Sequence, residues 1–155
     1  MSYLKILNKH EKAGIEKNLN EQFGVVSIPG ILAIRGEERL FLFTGSFSEK
    51  EIKNLEKCSF IERIGIYFAK IQGDGIRISI EGSQILKDQI KKNIFPLDSV
   101  QAEDWMKGRE LLIKTGKRGF LIMKHEEDFL GTGKASEEKI GNFVPKNRRL
   151  KERTR

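Results

Sequence analysis

Gly131-Thr132-Gly133-Lys134 is the segment that most invites a chemical reading, as a loop that cradles phosphate. Such a loop needs backbone amides around the anion and a lysine that reaches it. The pattern also demands a glycine five positions before Gly133 and a hydroxyl after the lysine, where Asp128 and Ala135 stand instead. No G-x-G-x-x-G follows an apolar β-run, which removes a dinucleotide or methyl-donor pocket of the Rossmann type. His10 and His125 have no cysteine or second histidine at ligand spacing and read as surface histidines. Cys58, beside Phe60 and Ile61, has no base near it in sequence and reads as a small core residue. Glu103-Asp104 and Glu126-Glu127-Asp128 read as solvated carboxylates on turns rather than an acid–base pair. Trp105 reads as a core plug, with stacking on a base as the alternative. The residues therefore predict no enzyme, no cofactor and no metal.

The cations point to polyanions. Net charge is +7, distributed as +2 over residues 1–78, zero over 79–145 and +5 over 146–155. Most of the excess lies on Lys146, Arg148, Arg149, Lys151, Arg153 and Arg155, opposed only by Glu152. Charge concentrated in this way attracts polyphosphate better than the same charge spread evenly, although like-charge blocks also serve as plain solubilising tails. The near-neutral body excludes broad wrapping of DNA.

These residues need a scaffold, and 155 residues with 38% hydrophobic content suffice for one domain or two small ones in contact. Apolar runs such as residues 40–43 and 64–69 are far shorter than the ~20 residues of a spanning helix. The first residues lack a signal-peptide pattern and the lone cysteine forms no internal disulfide, so a cytoplasmic location is expected. Ile15, Leu19 and Phe23 at helical spacing predict a surface helix over residues 8–23, ended by Gly24. The β-formers at 25–28, 31–34 and 40–44, separated by Pro29-Gly30 and residues 35–38, predict a meander. Ser48-Glu49-Lys50-Glu51 is a capping box for a short helix through Ile52 and Leu55. Gly73-Asp74-Gly75 predicts a hairpin between strands at 64–70 and 76–80.

Beyond Ser79 the spacing predicts a helix from Gly82 to about Lys92, an extended piece at 93–98 and a helical turn at 102–106. A hairpin of 110–114 with 120–124 would carry Lys117 and Arg118 at its tip, followed by strands near 129–130 and at 140–144. Many short strands with glycine corners predict a small closed or nearly closed barrel.

Residues 79–145 resemble the PUA domain, an RNA-binding barrel named after pseudouridine synthases and archaeosine transglycosylases. The matching segments are Gly82-Ser83-Gln84-Ile85-Leu86, Trp105-Met106-Lys107-Gly108-Arg109-Glu110 and Phe129 through Ser136. The whole chain is similar to two-domain ribosome-biogenesis proteins with a pre-PUA domain before the PUA. Ile140 through Leu150 resembles the closing motif of the PUA-like tail of Fmu/Sun-type RNA cytosine-5 methyltransferases. The usual G-D-x-V run appears as Gly108-Arg109-Glu110-Leu111, with arginine in place of aspartate.

The resemblance implies an α+β chain. A pre-PUA-like domain at 1–78, an antiparallel sheet with helices, precedes a PUA β-barrel at 79–145 and a basic tail at 146–155. It implies a non-catalytic RNA-binding protein in ribosomal RNA processing or modification, or the detached targeting subunit of an RNA methyltransferase. An adaptor whose tail binds an acidic protein is the rival. The implied partners are structured ribosomal or transfer RNA and an RNA methyltransferase or ribosome-assembly protein, with no membrane. Gly131 and Gly133 have no side chain to hold a phosphodiester away, and Lys134 supplies a cation beside them. Lys117, Arg118, Lys146, Arg148 and Arg149 would extend the contact along the backbone, the arginines by bidentate pairing or stacking.

Overall fold

The computed structural model describes residues 4–44 and 65–151. The capping box at Ser48, Cys58 and the last four residues of the tail lie outside the described residues. A five-stranded antiparallel sheet comes first: β1 (Leu4–Ile6), β2 (Ile31–Arg35), β3 (Arg39–Phe43), β4 (Ile66–Gln72) and β5 (Gly75–Ile78), paired in chain order. Helix α1 (Lys9–Phe23) follows β1 and covers one face. Its start is fixed by a capping box in which the Asn8 side chain accepts from Glu11 N and Glu11 accepts from Asn8 N. Its end is Gly24 at φ 84°, a left-handed cap suited to glycine.

A second sheet has the order β6 (Ile94–Pro96), β7 (Gly119–His125), β8 (Asp128–Ala135), β9 (Ile140–Gly141), with β6 and β7 parallel. It curls as a half-barrel around Trp105 of α3 (Ser99–Met106), while α2 (Ile80–Ile85) links the two sheets. This is the α+β arrangement with a barrel-like second half that the sequence predicts. Among the described residues, no helix is long and apolar enough to cross a membrane.

Strand β7 explains how the halves join. Phe120 and Ile122 point into a core shared with Leu19, Phe23, Leu40, Phe68 and Ile76 of the first half. Leu121 and Met123 point the other way, toward Trp105, Leu97 and Ile140. A strand buried on both faces reads as a continuous apolar run, as residues 120–123 do. Hydroxyls stitch the junction: Ser79 Oγ donates to Tyr67 O (2.6 Å) and caps α2, and Thr132 Oγ1 donates to Ile78 O (2.8 Å).

Several expectations need correction. Residues 25–28 are not a strand; Val25 and Ile28 are buried, but Gln89 Oε1 accepts from Val26 N and Ser27 N, and Glu16 accepts from Ile28 N. Side chains take the place of a ladder there. Residues 110–114 do not pair with 120–124, because both edges of β7 are occupied by β6 and β8. Leu111 instead bridges Ile140, and the cations Lys117 and Arg118 sit on the loop before β7. Helix α2 ends at Ile85 rather than near Lys92, β4 begins at Ile66 and β9 stops at Gly141. Strand β1 has no counterpart in the sequence pattern, since a three-residue edge strand carries almost no periodicity.

Gly133 faces the interior. A Cβ there would lie 2.6 Å from Ile140 Cγ2 and 2.8 Å from the Trp105 ring. Gly133→Ala is expected to destabilise by about 1–3 kcal/mol, the usual cost of overpacking. Urea denaturation followed by circular dichroism measures it, and no change in midpoint would contradict this packing.

Candidate nucleic-acid interface

On the first sheet, the register sets Arg35 opposite Arg39, Arg39 opposite Lys70, and Lys70 opposite Arg77. Four cations therefore form one row across β2, β3, β4 and β5, on strands spaced about 4.8 Å apart. Like charges directly opposite each other destabilise a sheet. A bulge makes the row possible. Register shifts between Leu40 and Phe41, so that Leu40 pairs with Ala69 but Phe41 pairs with Tyr67. Phe68 and Ala69 both turn into the shared core, which leaves Tyr67 and Lys70, three residues apart, on the same opposite face. A regular strand would place them on different faces.

This face forms one wall of an open groove of about 560 Å³, lined by Arg39, Phe41, Tyr67, Lys70 and Arg77. Glu81 of α2, Phe143, Pro145 and Arg148 form the facing wall. Among the described residues, four cations thus stand with one carboxylate among aromatic rings. Arg77 lies over the Phe143 ring at 4.1 Å, a cation–π contact, and Phe41 and Tyr67 meet with ring centroids 5.8 Å apart. Lys70 reaches Glu38 at 3.5 Å, and Arg148 pairs with Glu81 within the facing wall. A narrow cleft adjoins the groove, sharing Tyr67, Arg77, Glu81, Phe143 and Pro145, and ends at Gly131 and Thr132.

The nominated residues divide between this groove and other places. Arg148 lines it, from the 3-10 turn Lys146–Arg148, and Lys146 is exposed on the same turn. Gly131 lines the inner cleft, but its missing Cβ would face Ile80, and that of Gly133 would face Trp105, so both glycines leave room for the core. Arg149 Nε donates to Val144 O (3.0 Å) with its guanidinium against Gly108, and Leu150 N donates to Met106 O (2.8 Å). The start of the basic segment therefore docks on the second half. Lys134 pairs with Asp74 at 2.6 Å, and that hydrogen bond is the main reason the Asp74 carboxyl lies below its ordinary value of 3.8. A depressed carboxyl favours the folded pairing above that value and loses it as pH falls through the lowered one. Lys117 and Arg118 are exposed and lie outside the groove. Trp105 is fully buried and donates from Nε1 to Leu130 O (2.9 Å), which makes it the plug and removes it as a base-stacking residue.

Sequence reasoning missed Arg39, Tyr67, Lys70 and Arg77 as a site. A signal was present: short turns at residues 36–38 and 73–74 set Arg35 against Arg39 and Lys70 against Arg77 once hairpin register is counted.

Residues 92–150 match the family model described as the methyltransferase RsmF PUA domain. The chain is 29% identical over 131 residues to ribosomal RNA small subunit methyltransferase F of Aeromonas salmonicida, covering 84% of this chain and 26% of that protein. The Vibrio vulnificus (strain YJ016) protein of the same name is 25% identical over 140 residues, covering 90% and 28%. Residues 92–150 are therefore similar to the PUA domain of these methyltransferases. The chain spans about a quarter of the length of those relatives, and the family match is to the PUA module rather than to a catalytic domain. Translation machinery-associated protein 64 of Saccharomyces cerevisiae is also similar, 32% identical over 92 residues, covering 56% of this chain and 16% of that protein. The methyltransferase alignments reach beyond the PUA match, which begins at residue 92 and so excludes the cationic row on the first sheet.

Proposed function

We propose that this protein binds RNA without catalysing a reaction of its own, in ribosomal RNA processing or modification. The observation that carries this reading is the row Arg35, Arg39, Lys70 and Arg77 beside an aromatic groove. A sheet that keeps like charges in line regains the cost when a polyanion lies across them. Arg148 and Lys146 continue the contact from the facing wall, and Lys117, Arg118, Lys134 and Arg149 extend it outside the groove. Gly131 offers backbone at the inner cleft, whereas Gly133 acts through packing. The proposed division is a pre-PUA-like part at 1–78, the PUA at 79–145 and a basic tail from 146, in a cytoplasmic protein.

Two similar proteins are named for methylating small-subunit ribosomal RNA, which favours ribosomal over transfer RNA as the ligand. Their alignment over most of this chain supports a second reading, in which it presents RNA to a methyltransferase catalytic domain. A ribosome-assembly protein is the alternative partner.

The test is binding of structured and single-stranded RNA, with duplex DNA as control, at two salt concentrations. Micromolar or tighter binding that prefers RNA and weakens with salt is expected. Absence of RNA binding by the folded protein would overturn the proposal and leave a protein adaptor.

Glu81 supplies a sharper check. Among the described residues it is the one carboxylate that lines the groove, and it holds Arg148. Both side chains are partly exposed, so the pair is worth at most about 1 kcal/mol. Glu81→Gln is expected to raise RNA affinity roughly two- to fivefold by releasing Arg148. Affinity that stays level or falls would remove Arg148 from the contact set.

A further inference from the structure

We infer that the groove is built for unpaired nucleotides, with a base seated against Tyr67 and phosphates along Arg39, Lys70 and Arg77. This deepens the RNA-binding reading and rests on it. A duplex hides its base faces and offers a backbone recognised by shape over a long surface. The groove is instead concave, and its about 560 Å³ fits the ~300–1,000 Å³ of small-ligand pockets. Its rings suit the face of a base, which every nucleotide has and only an unpaired one exposes. Of these rings, Phe41 is buried, whereas Tyr67 and Phe143 are partly exposed. Phe143 is covered by Arg77, which leaves Tyr67 as the open platform.

Charge settles the orientation. On the facing wall Glu81 offsets Arg148, so the groove's excess positive charge lies on the sheet wall, which carries three cations in register. The chain of phosphates therefore follows the sheet wall across the strands, and the base turns inward. The bulge at Phe68-Ala69 serves this arrangement, since it alone brings the Tyr67 ring to the same face as Lys70.

The test uses fluorescence anisotropy of the full chain with a labelled single-stranded RNA hexamer and a blunt-ended RNA duplex. The single strand is expected to bind more tightly, and Tyr67→Ala to weaken it about tenfold while leaving duplex binding within twofold. Tyr67→Phe, which keeps the ring, should bind like the wild type. If Tyr67→Ala fails to fold, the preference for the single strand and competition by heparin decide. Heparin carries charge without bases, so displacement of the hexamer by heparin as effectively, per charge, as by unlabelled hexamer would overturn the inference. Equal binding of duplex and single strand, or indifference to Tyr67→Ala in the folded variant, would overturn it too. Failure of every RNA to bind would instead refute the RNA-binding reading itself.

Discussion

Replacing Trp105 by alanine is expected to remove about 3–5 kcal/mol of stability, the range for deleting a fully buried large aromatic side chain. Small domains hold only about 5–15 kcal/mol in total, so the variant should sit near the edge of folding. The argument rests on what converges on the ring. Leu121, Met123, Ile140 and Val144 belong to the same core, Gly133 has no side chain so that the ring fits, and Nε1 donates to Leu130 O. Truncation leaves a cavity and an unpartnered carbonyl together, and each carries its own cost. Asn142 also donates to Trp105 O, so movement of α3 would disturb the turn that precedes Arg148. Because Trp105 is the only tryptophan, unfolding of the variant must be followed by circular dichroism rather than fluorescence. A loss below 1 kcal/mol would mean that the second half is not organised around this residue.

The second large effect concerns binding. Arg39→Ala, Lys70→Ala and Arg77→Ala combined should lower RNA affinity by about a hundredfold or more, since hydrogen bonds to charged groups contribute about 1.5–3 kcal/mol each. The same variant should flatten the slope of log affinity against log salt by about 2, as three phosphate contacts on a single strand imply. Stability should rise slightly or hold, because removing like charges set opposite each other relieves the sheet. Retained affinity with an unchanged slope would place RNA elsewhere, with Lys117, Arg118 and Lys134 the next residues to change.

Local signals in the sequence located most elements. Asn8 and Gly24 bound α1, and Gly73-Asp74-Gly75 marks the β4–β5 turn, because capping and turn chemistry are decided within a few residues. Two strand predictions failed for one cause, competition from distant chain. Leu111, Leu112 and Ile113 have strand composition, yet both edges of β7 are taken and Leu112 is exposed. Val25 to Ile28 have it too, but Gln89 and Glu16 satisfy their amides. The site was legible only at the rim that Arg148 supplies. Arg148 stands out in a basic run, whereas Tyr67 and Lys70 look unrelated until the bulge is known. Bulges leave little trace in sequence, and here one bulge decides which side chains share a face.

Strand β7 gives alternate side chains to both cores, and this makes it a party wall. Neither half can melt while the other keeps its packing, so heating should produce one cooperative transition and limited proteolysis should release no stable half. The groove walls, one from each half, are then held at fixed separation before any ligand arrives. Within a longer polypeptide the unit would move as a rigid body, and RNA bound to it would keep a constant angle to whatever the chain is joined to. The protein would act as a gauge block rather than a flexible tether.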